Sequence, residues 1–307
     1  MKILITGGAG FIGSQIAESY LQAGHEVHIM DNLATGKREN IPASARFIEM
    51  DITDPAVASV LAEERYEVIS HHAAQIDVRK SVADPMFDAR VNILGGINLV
   101  ENGLKHGLKK VIFASSGGTV YGEQHTFPAT EQHSCKPISP YGIAKLSFEQ
   151  YLYYYHTCFS LDYAALRYAN VYGPRQNPHG EAGVVAIFIS KILAGAQAMI
   201  NGDGLQTRDY VFVEDLVRAN VLALGNIPTG AYNIGTAIET NVVEVFDAVN
   251  AALGNRFERK HAEAKTGEQK RSVLDYGHTK SILGWQPEID FEAGIAKTVA
   301  WFQAKHS

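Results

Sequence analysis

Cysteine is nearly absent: Cys135 and Cys158 are the only two in 307 residues. Two are too few for a disulfide framework or a cysteine-rich zinc site. No apolar stretch approaches the roughly 20 residues that a membrane span requires. Basic runs are missing too. The 27 lysines and arginines are scattered among 33 acidic residues, for a formal charge of −6. Non-specific nucleic-acid binding needs clustered positive charge, so nucleic acid is not an expected partner. A small anionic ligand held by a few arginines remains compatible. The start of the chain lacks the pattern of a signal peptide, since Lys2 leads Ile3-Leu4-Ile5-Thr6 directly into Gly7. No internal repeat, low-complexity tract or linker stands out, so no sharp domain boundary is expected. His71-His72 has no third ligand at useful spacing, so no metal site is expected. With 46% apolar residues, the expectation is a soluble, cytoplasmic, globular protein with one large core or two coupled ones.

What the sequence does contain is alternation. Lys2–Thr6 reads as a short buried strand, with Ile3, Leu4 and Ile5 contiguous as in a parallel sheet. A helix follows over about residues 11–23, closed by Gly24. Strands are expected at about 26–30, 46–50, 67–70 and 110–114. Helices should open at Thr53-Asp54-Pro55 and span about 84–105. Another should start at Ser139-Pro140, with Ser as cap and Pro at the first helical position. The pattern predicts an α/β protein with a doubly wound, Rossmann-type parallel sheet and right-handed crossovers. After a strand at about 163–168 and Gly173-Pro174 the pattern loosens. Helices near 184–194, 213–224, 242–253 and 291–303, short strands at about 198–200 and 208–212, and a charged loop over 255–272 are expected. We expect a first domain over about 1–172 and a smaller α/β lobe over 173–307, interleaved with the end of the sheet.

Thr6-Gly7-Gly8-Ala9-Gly10-Phe11-Ile12-Gly13 follows a strand and opens a helix. Gly7 permits the tight turn, Gly10 lets the backbone approach a pyrophosphate, and Gly13 lets helix pack on strand. The helix N-terminus then offers free amides and a positive dipole end to phosphates. Asp31 ends the second strand, 18 positions after Gly13. A carboxylate there accepts from ribose hydroxyls and repels a ribose phosphate, which favours NAD over its phosphorylated form. Lys37 and Arg38 are nearby cations. Asp51-Ile52, after the third strand, is placed to line an adenine pocket.

Tyr141 and Lys145 stand four apart at the start of a helix, on one face. A free tyrosine, with a pKa near 10, is a poor base at neutral pH. A neighbouring ammonium and a charged nicotinamide ring should lower it, making Tyr141 a candidate proton acceptor from a hydroxyl. Ser115-Ser116 ends the preceding strand, at the carboxyl edge where such sheets bind ligands. A hydroxyl there can share a hydrogen bond with the reacting oxygen.

Several segments together resemble the extended short-chain dehydrogenase/reductase superfamily. They are Gly7-x-x-Gly10-x-x-Gly13, Asp31-Asn32-Leu33, Ala73-Ala74-Gln75, Ser115-Ser116, Val120-Tyr121-Gly122, Tyr141-Gly142-x-x-Lys145 and Arg167-Tyr168-x-Asn170-Val171-Tyr172-Gly173-Pro174. More narrowly, the chain resembles the UDP-glucose 4-epimerases, from Met1 to Leu283-Gly284-Trp285. The resemblance implies a tightly held NAD that takes hydride from carbon 4 of a UDP-sugar. Ser116 is then the hydroxyl residue, Tyr141 the base and Lys145 its electrostatic partner. Cofactor contacts are implied at Gly7, Gly10, Phe11, Ile12, Gly13, Asp31, Asn32, Asp51, Ile52, Ala73, Ala74, Gln75, Asn92, Ser115, Tyr141, Lys145 and Tyr168. Related 4,6-dehydratases carry an Asp-Glu pair after the strand-end hydroxyl, and related decarboxylases keep a glutamate there. This chain has Gly117-Gly118, so those reactions lose their acid/base group.

The resemblance also implies substrate contacts at Ser116, Tyr141, Asn170, Val184 and Arg208, and along the 265–271 loop. Arg208-Asp209-Tyr210 matches the motif whose arginine grips a diphosphate, a task suited to a planar fork. Where relatives have Arg-x-Gly-Asp this chain has Lys265-Thr266-Gly267-Glu268, with Arg271 as a compensating cation. The family's sugar-pocket wall maps to Ser272, whose small size leaves room for UDP-GlcNAc and UDP-GalNAc beside UDP-glucose and UDP-galactose. A homodimer through the helices near 92–105 and 140–158 is implied. Tyr151, Tyr153, Tyr154 and Tyr155 are expected to pack against the sheet or a second subunit. A UDP-glucuronate 4-epimerase, another NAD-dependent nucleotide-sugar oxidoreductase and a non-catalytic nucleotide-sensing module are the competing readings.

Overall fold

Contiguous apolar residues form the inner strands. Ile3, Leu4 and Ile5 are completely buried in β1 (Lys2–Thr6). In the computed structural model, which describes residues 1–178, 183–264 and 269–306, the first half continues with α1 (Phe11–Gln22), β2 (Glu26–Asp31), β3 (Arg46–Glu49), α2 (Val57–Glu64), β4 (Val68–His71), α3 (Val78–Ala83) and α4 (Pro85–Ala89). A π-helical turn, Arg90–Leu94, leads into α5 (Gly95–Leu104), then β5 (Lys110–Ser116), α6 (Gly117–Val120), α7 (Pro140–Phe159) and β6 (Asp162–Tyr168). Beyond these come β7 (Asn170–Tyr172), α8 (Val184–Leu193), β8 (Ile200–Asn201), β9 (Thr207–Arg208), β10 (Tyr210–Phe212), α9 (Val213–Ala223) and β11 (Gly230–Ile234). The last are β12 (Thr240–Asn241), α10 (Val242–Ala252), β13 (His261–Ala262), β14 (Arg271–Ser272), α11 (Gly277–Leu283) and α12 (Phe291–His306).

The main sheet has seven strands in the order β11-β6-β5-β4-β1-β2-β3. The pairs β1–β2, β1–β4, β2–β3 and β4–β5 are parallel. This is the doubly wound Rossmann order, and the order in which successive strands are added reverses between β1 and β4. At that switch point the carboxyl ends of neighbouring strands leave room for a ligand. Leu4, Ile69, Val111 and Phe113 from the sheet pack with Leu99, Val100, Phe148 and Leu152 from α5 and α7. Sheet strands buried on both faces carry these unbroken apolar runs.

The chain divides into two compact units. The first comprises Met1–Gly122, Cys135–Arg167 and Val217–Tyr232; the second comprises Glu123–Ser134, Tyr168–Leu216 and the chain from Asn233 on. Within the second, β7 pairs with β10, and β12, β9 and β14 form a three-stranded sheet. Among the described residues no helix is long and apolar enough to cross a membrane.

Three expectations change on inspection. The helix foreseen at Thr53-Asp54-Pro55 starts at Val57, because the Asp54 carboxylate accepts from the amide of Ala56 and closes a turn first. The single helix foreseen over 84–105 is two helices joined by the π-helical turn. The loop foreseen over 255–272 contributes β13 and β14.

Candidate active site

The glycine loop joins β1 to α1 at the switch point. Gly7 has φ +70, and a Cβ on it would stand 2.6 Å from the amide nitrogen of Ala73. A Cβ on Gly13 would stand 2.4 Å from the carbonyl oxygen of Gly7. Both close approaches exclude any larger residue. Gly10 is the N-cap of α1 and brings no side chain to cap the first-turn amides of Phe11, Ile12 and Gly13. Asp31, buried at the end of β2, accepts from the amides of Ala9 at 3.0 Å and Leu33 at 2.8 Å. Its carboxylate thus holds the glycine loop and the strand end together. Asn32 donates to Asp51 at 2.7 Å. Burial alone would raise the Asp51 carboxyl, but hydrogen bonds from Thr53 and Asn32 outweigh it and hold the group below its ordinary value. Ile52 is buried beside Gly95, where a Cβ would meet its side chain at 2.6 Å.

Residues 73–75 continue the rim beyond β4. Ala73 donates its amide to Thr6 Oγ1 at 3.3 Å, Thr6 pairs with His71 Nδ1 at 2.7 Å, and Ala74 follows at the same strand exit. Gln75 and Asn92 are buried and bonded twice. The Gln75 amide donates to Asn92 Oδ1 at 3.0 Å, and Asn92 Nδ2 donates to the Gln75 carbonyl at 2.9 Å. Asn92 lies in the π-helical turn, a distortion often found at functional sites. Together these residues form a glycine-walled cradle over a helix N-terminus, with the Asp31 carboxylate at the end of the neighbouring strand. That arrangement fits a dinucleotide.

Beside the cradle, β5 delivers Ser115 and Ser116, and α7 delivers Tyr141 and Lys145. Ser139 caps α7 by accepting from the Gly142 amide at 3.2 Å, and Pro140 takes the first helical position. Lys145 Nζ donates to the Ala114 carbonyl at 2.8 Å and stands 4.8 Å over the Phe113 ring and 5.7 Å from the Tyr141 ring centre. Burial pushes the Lys145 ammonium down to about 8, opposed by the charges of Asp88 and Glu149. The lowered phenol expected from sequence is not found in the protein alone. Burial raises Tyr141 above its ordinary value, the charge of Asp88 adds to the rise, and Ser116 opposes both.

Ser115 turns away from this group. Its hydroxyl donates to Glu149, whose carboxylate also receives Arg167 Nε at 3.1 and 3.2 Å and Nη2 at 2.6 Å. Arg167 Nη1 donates to the Tyr121 hydroxyl at 3.0 Å. This buried network went unforeseen, although Glu149 falls one turn beyond Lys145 on the same face, which is the signal that could have found it. Tyr168 is the buried last residue of β6.

The remaining candidates belong to the second unit. Asn170 opens β7 and pairs with Tyr210 of β10. Val184 opens α8. Arg208 is partly exposed on β9, its Nη1 donating to the Thr207 carbonyl at 2.8 Å. Asp209 is buried and serves the backbone: it accepts from the amides of Thr236, Ala237 and Leu274. Ser272 lies in register with Arg208 and is buried. Arg271 spends its fork on Glu239, with two 2.8 Å hydrogen bonds, and stacks 3.7 Å over Phe127. These contacts fix its guanidinium within the unit while the side chain stays about half exposed, at 49%. Lys265 and Glu268 lie outside the described residues. Among the described residues no group of three or more His, Cys, Asp or Glu could hold a metal ion.

A Rossmann sheet with a dinucleotide cradle beside a Ser–Tyr–Lys group defines a nicotinamide-dependent enzyme of the short-chain dehydrogenase/reductase type. Residues 3–235 match the model of the NAD dependent epimerase/dehydratase family, and the chain belongs to that family. It is 46% identical, over 98% of each chain, to a putative UDP-glucose 4-epimerase of Methanocaldococcus jannaschii. A UDP-glucose 4-epimerase of Thermotoga maritima, solved with UDP-glucose, superposes with a TM-score of 0.98 at 44% identity over 100% of both chains. A UDP-glucose 4-epimerase of Thermus thermophilus, solved with NAD, gives a TM-score of 0.93 at 44% identity over 99% of both chains.

Proposed function

We propose that the protein is an NAD-dependent 4-epimerase that interconverts UDP-glucose and UDP-galactose through a 4-keto sugar. The observation that carries this reading is the grouping of Ser116, Tyr141 and Lys145 beside the dinucleotide cradle, with glycines where relatives of other activity carry carboxylates. NAD, when bound, supplies the hydride acceptor and donor. Gly7, Gly10, Phe11, Ile12, Gly13, Asp31, Asp51 and Asn92 hold it. Tyr141 takes the proton of the sugar 4-hydroxyl and later returns it. Ser116 shares a hydrogen bond with the same oxygen and keeps it in place. Lys145, charged, offsets the negative charge that develops on Tyr141. Elimination would need a further acid or base after Ser116, and Gly117-Gly118 cannot provide one.

The part of the chain beyond about residue 172 supplies the substrate contacts. Arg208 grips the diphosphate, Asn170 and Val184 line the nucleotide sugar, and Ser272 forms a small pocket wall that admits acetylated sugars. Leu94, Ile143, Tyr151, Tyr153, Tyr154 and Phe159 are exposed. Such an apolar helical face suits a homodimer. Tyr155, by contrast, is buried and donates to Glu101 at 2.9 Å. A cytoplasmic setting is part of this reading. The test is incubation with UDP-galactose without added reductant: UDP-glucose as product supports the reading, and no conversion of any UDP-hexose overturns it.

A further inference from the structure

One buried charge in the first unit has no part in the proton transfer above. Asp88 lies on α4 and is 1% exposed. Its Oδ1 accepts from Gln75 Nε2 at 2.9 Å and from Asn92 Nδ2 at 3.0 Å. Its Oδ2 is buried and has no hydrogen-bond partner. A buried carboxylate oxygen left without a donor is costly, so a charge nearby is the expected compensation. Helix α4 and the π-helical turn both pack against α7, which carries Tyr141 and Lys145.

We propose that Asp88 is a positioning residue for the catalytic pair. Its second carboxylate oxygen supplies the negative charge that keeps the Lys145 ammonium charged beside Tyr141, while its first ties that charge to the Gln75–Asn92 rim of the cofactor cradle. The proposal rests on the epimerase reading for its catalytic consequence alone. Lys145 is buried, and one of its three protons goes to a neutral carbonyl, that of Ala114. The titratable groups that act on it are Asp88 from α4, Glu149 from its own helix, and His71 and His72 from the end of β4. Glu149 is committed to Arg167 and Ser115, and both histidines are held neutral by burial. Asp88 is therefore the uncommitted counter-charge. Burial raises its own carboxyl, while Gln75, Lys145 and Asn92 pull it back. Removing its charge lowers the proton affinity of Lys145 and of Tyr141 together, so both limbs of a pH–rate profile move to lower pH.

The test compares Asp88→Asn and Asp88→Ser with the wild type, all as purified with cofactor. Asparagine keeps an acceptor at the Oδ1 position and removes only the charge. The titration of Lys145 is followed by 13C NMR of labelled lysine, and the pH dependence of kcat on UDP-galactose is measured in parallel. We expect the Lys145 titration and both limbs to move to lower pH by at least about half a unit in each variant. An unchanged Lys145 titration, or loss of rate with an unmoved profile, would overturn the proposal. So would failure of both variants to fold, since the carboxylate would then be a structural group. A wild type inactive on UDP-hexoses would sink the epimerase reading, yet the NMR comparison would still decide the role of Asp88.

Discussion

Lys145 Nζ donates to the carbonyl oxygen of Ala114 at 2.8 Å, two residues before Ser116. This bond joins the catalytic helix to the strand end and fixes Tyr141, one turn earlier on the same helix, relative to the Ser116 hydroxyl. The Ser115 hydroxyl, donating to Glu149 one turn beyond Lys145, joins the same two elements again, and the ion pair of Glu149 with Arg167 ties the helix to β6. The helix is thereby held to β5 at two points and to β6 at a third. Positional precision of this kind is what proton transfer to a fixed oxygen requires.

Tyr141→Phe should lower kcat by about 10²–10⁴-fold while NAD stays bound, since the ring remains and only the transferable proton is lost. Turnover on UDP-galactose and cofactor content after denaturation check this. A rate within a few-fold of wild type would remove Tyr141 from the role of base.

Much of this site was legible in the sequence, for physical reasons that can be named. The glycine loop was, because two close backbone approaches leave no room for a Cβ at Gly7 or Gly13. The strand ends were, because fully buried parallel strands read as apolar runs. Strand β11 was not foreseen. Gly230-Ala231-Tyr232-Asn233-Ile234 has few β-branched residues, and it joins the sheet at an edge through pairing that no local pattern encodes. The roles of Asp88, Glu149 and Arg167 were also hidden. Arg167 meets Tyr121 from 46 residues away and Glu149 meets Ser115 from 34, and charge burial has no sequence period. The partner of Arg271 was hidden as well: Glu239 pairs with it from 32 residues away.

The role of Asp31 predicts cofactor choice. The purified protein should carry NAD, and added NADP should not support activity. Asp31→Asn should weaken NAD retention roughly 10- to 100-fold, because the carboxylate anchors the amides of Ala9 and Leu33 and is proposed to accept from the ribose hydroxyls. Equal use of NADP by the wild type would contradict this.

The pocket wall proposed at Ser272 predicts substrate breadth. UDP-GlcNAc and UDP-GalNAc should be accepted without being preferred, since an empty wall tolerates a larger group but does not select it. Ser272→Tyr should reduce turnover of the acetylated sugars far more than that of UDP-galactose. Because Ser272 is buried on β14, the thermal midpoint of the variant must be measured alongside. Equal losses on both substrates would show overpacking rather than a pocket wall.

The buried His71 and the partly buried His72 predict acid sensitivity. Burial pushes His72 down to about 3 from its ordinary 6.5. The folded form therefore stays neutral while the unfolded chain takes up a proton as pH falls. The stability His72 contributes is whole above about pH 6.5 and is lost progressively toward pH 3, about 2 kcal/mol of it by pH 5. His71 acts in the same direction. Denaturant unfolding at pH 7.5 and pH 5 should show His72→Gln losing less stability than the wild type over that interval. An identical loss would place the acid sensitivity elsewhere.

The central claim is that carbon 4 loses and regains the same hydride within one enzyme-bound cycle. The most direct measurement follows UDP-galactose deuterated at carbon 4, incubated with the purified protein in ordinary water without added cofactor or reductant. UDP-glucose that retains deuterium at carbon 4 is the predicted product, detected by mass spectrometry and NMR. UDP-glucose that has exchanged the label with solvent, or a keto sugar or dehydrated product in its place, would contradict it.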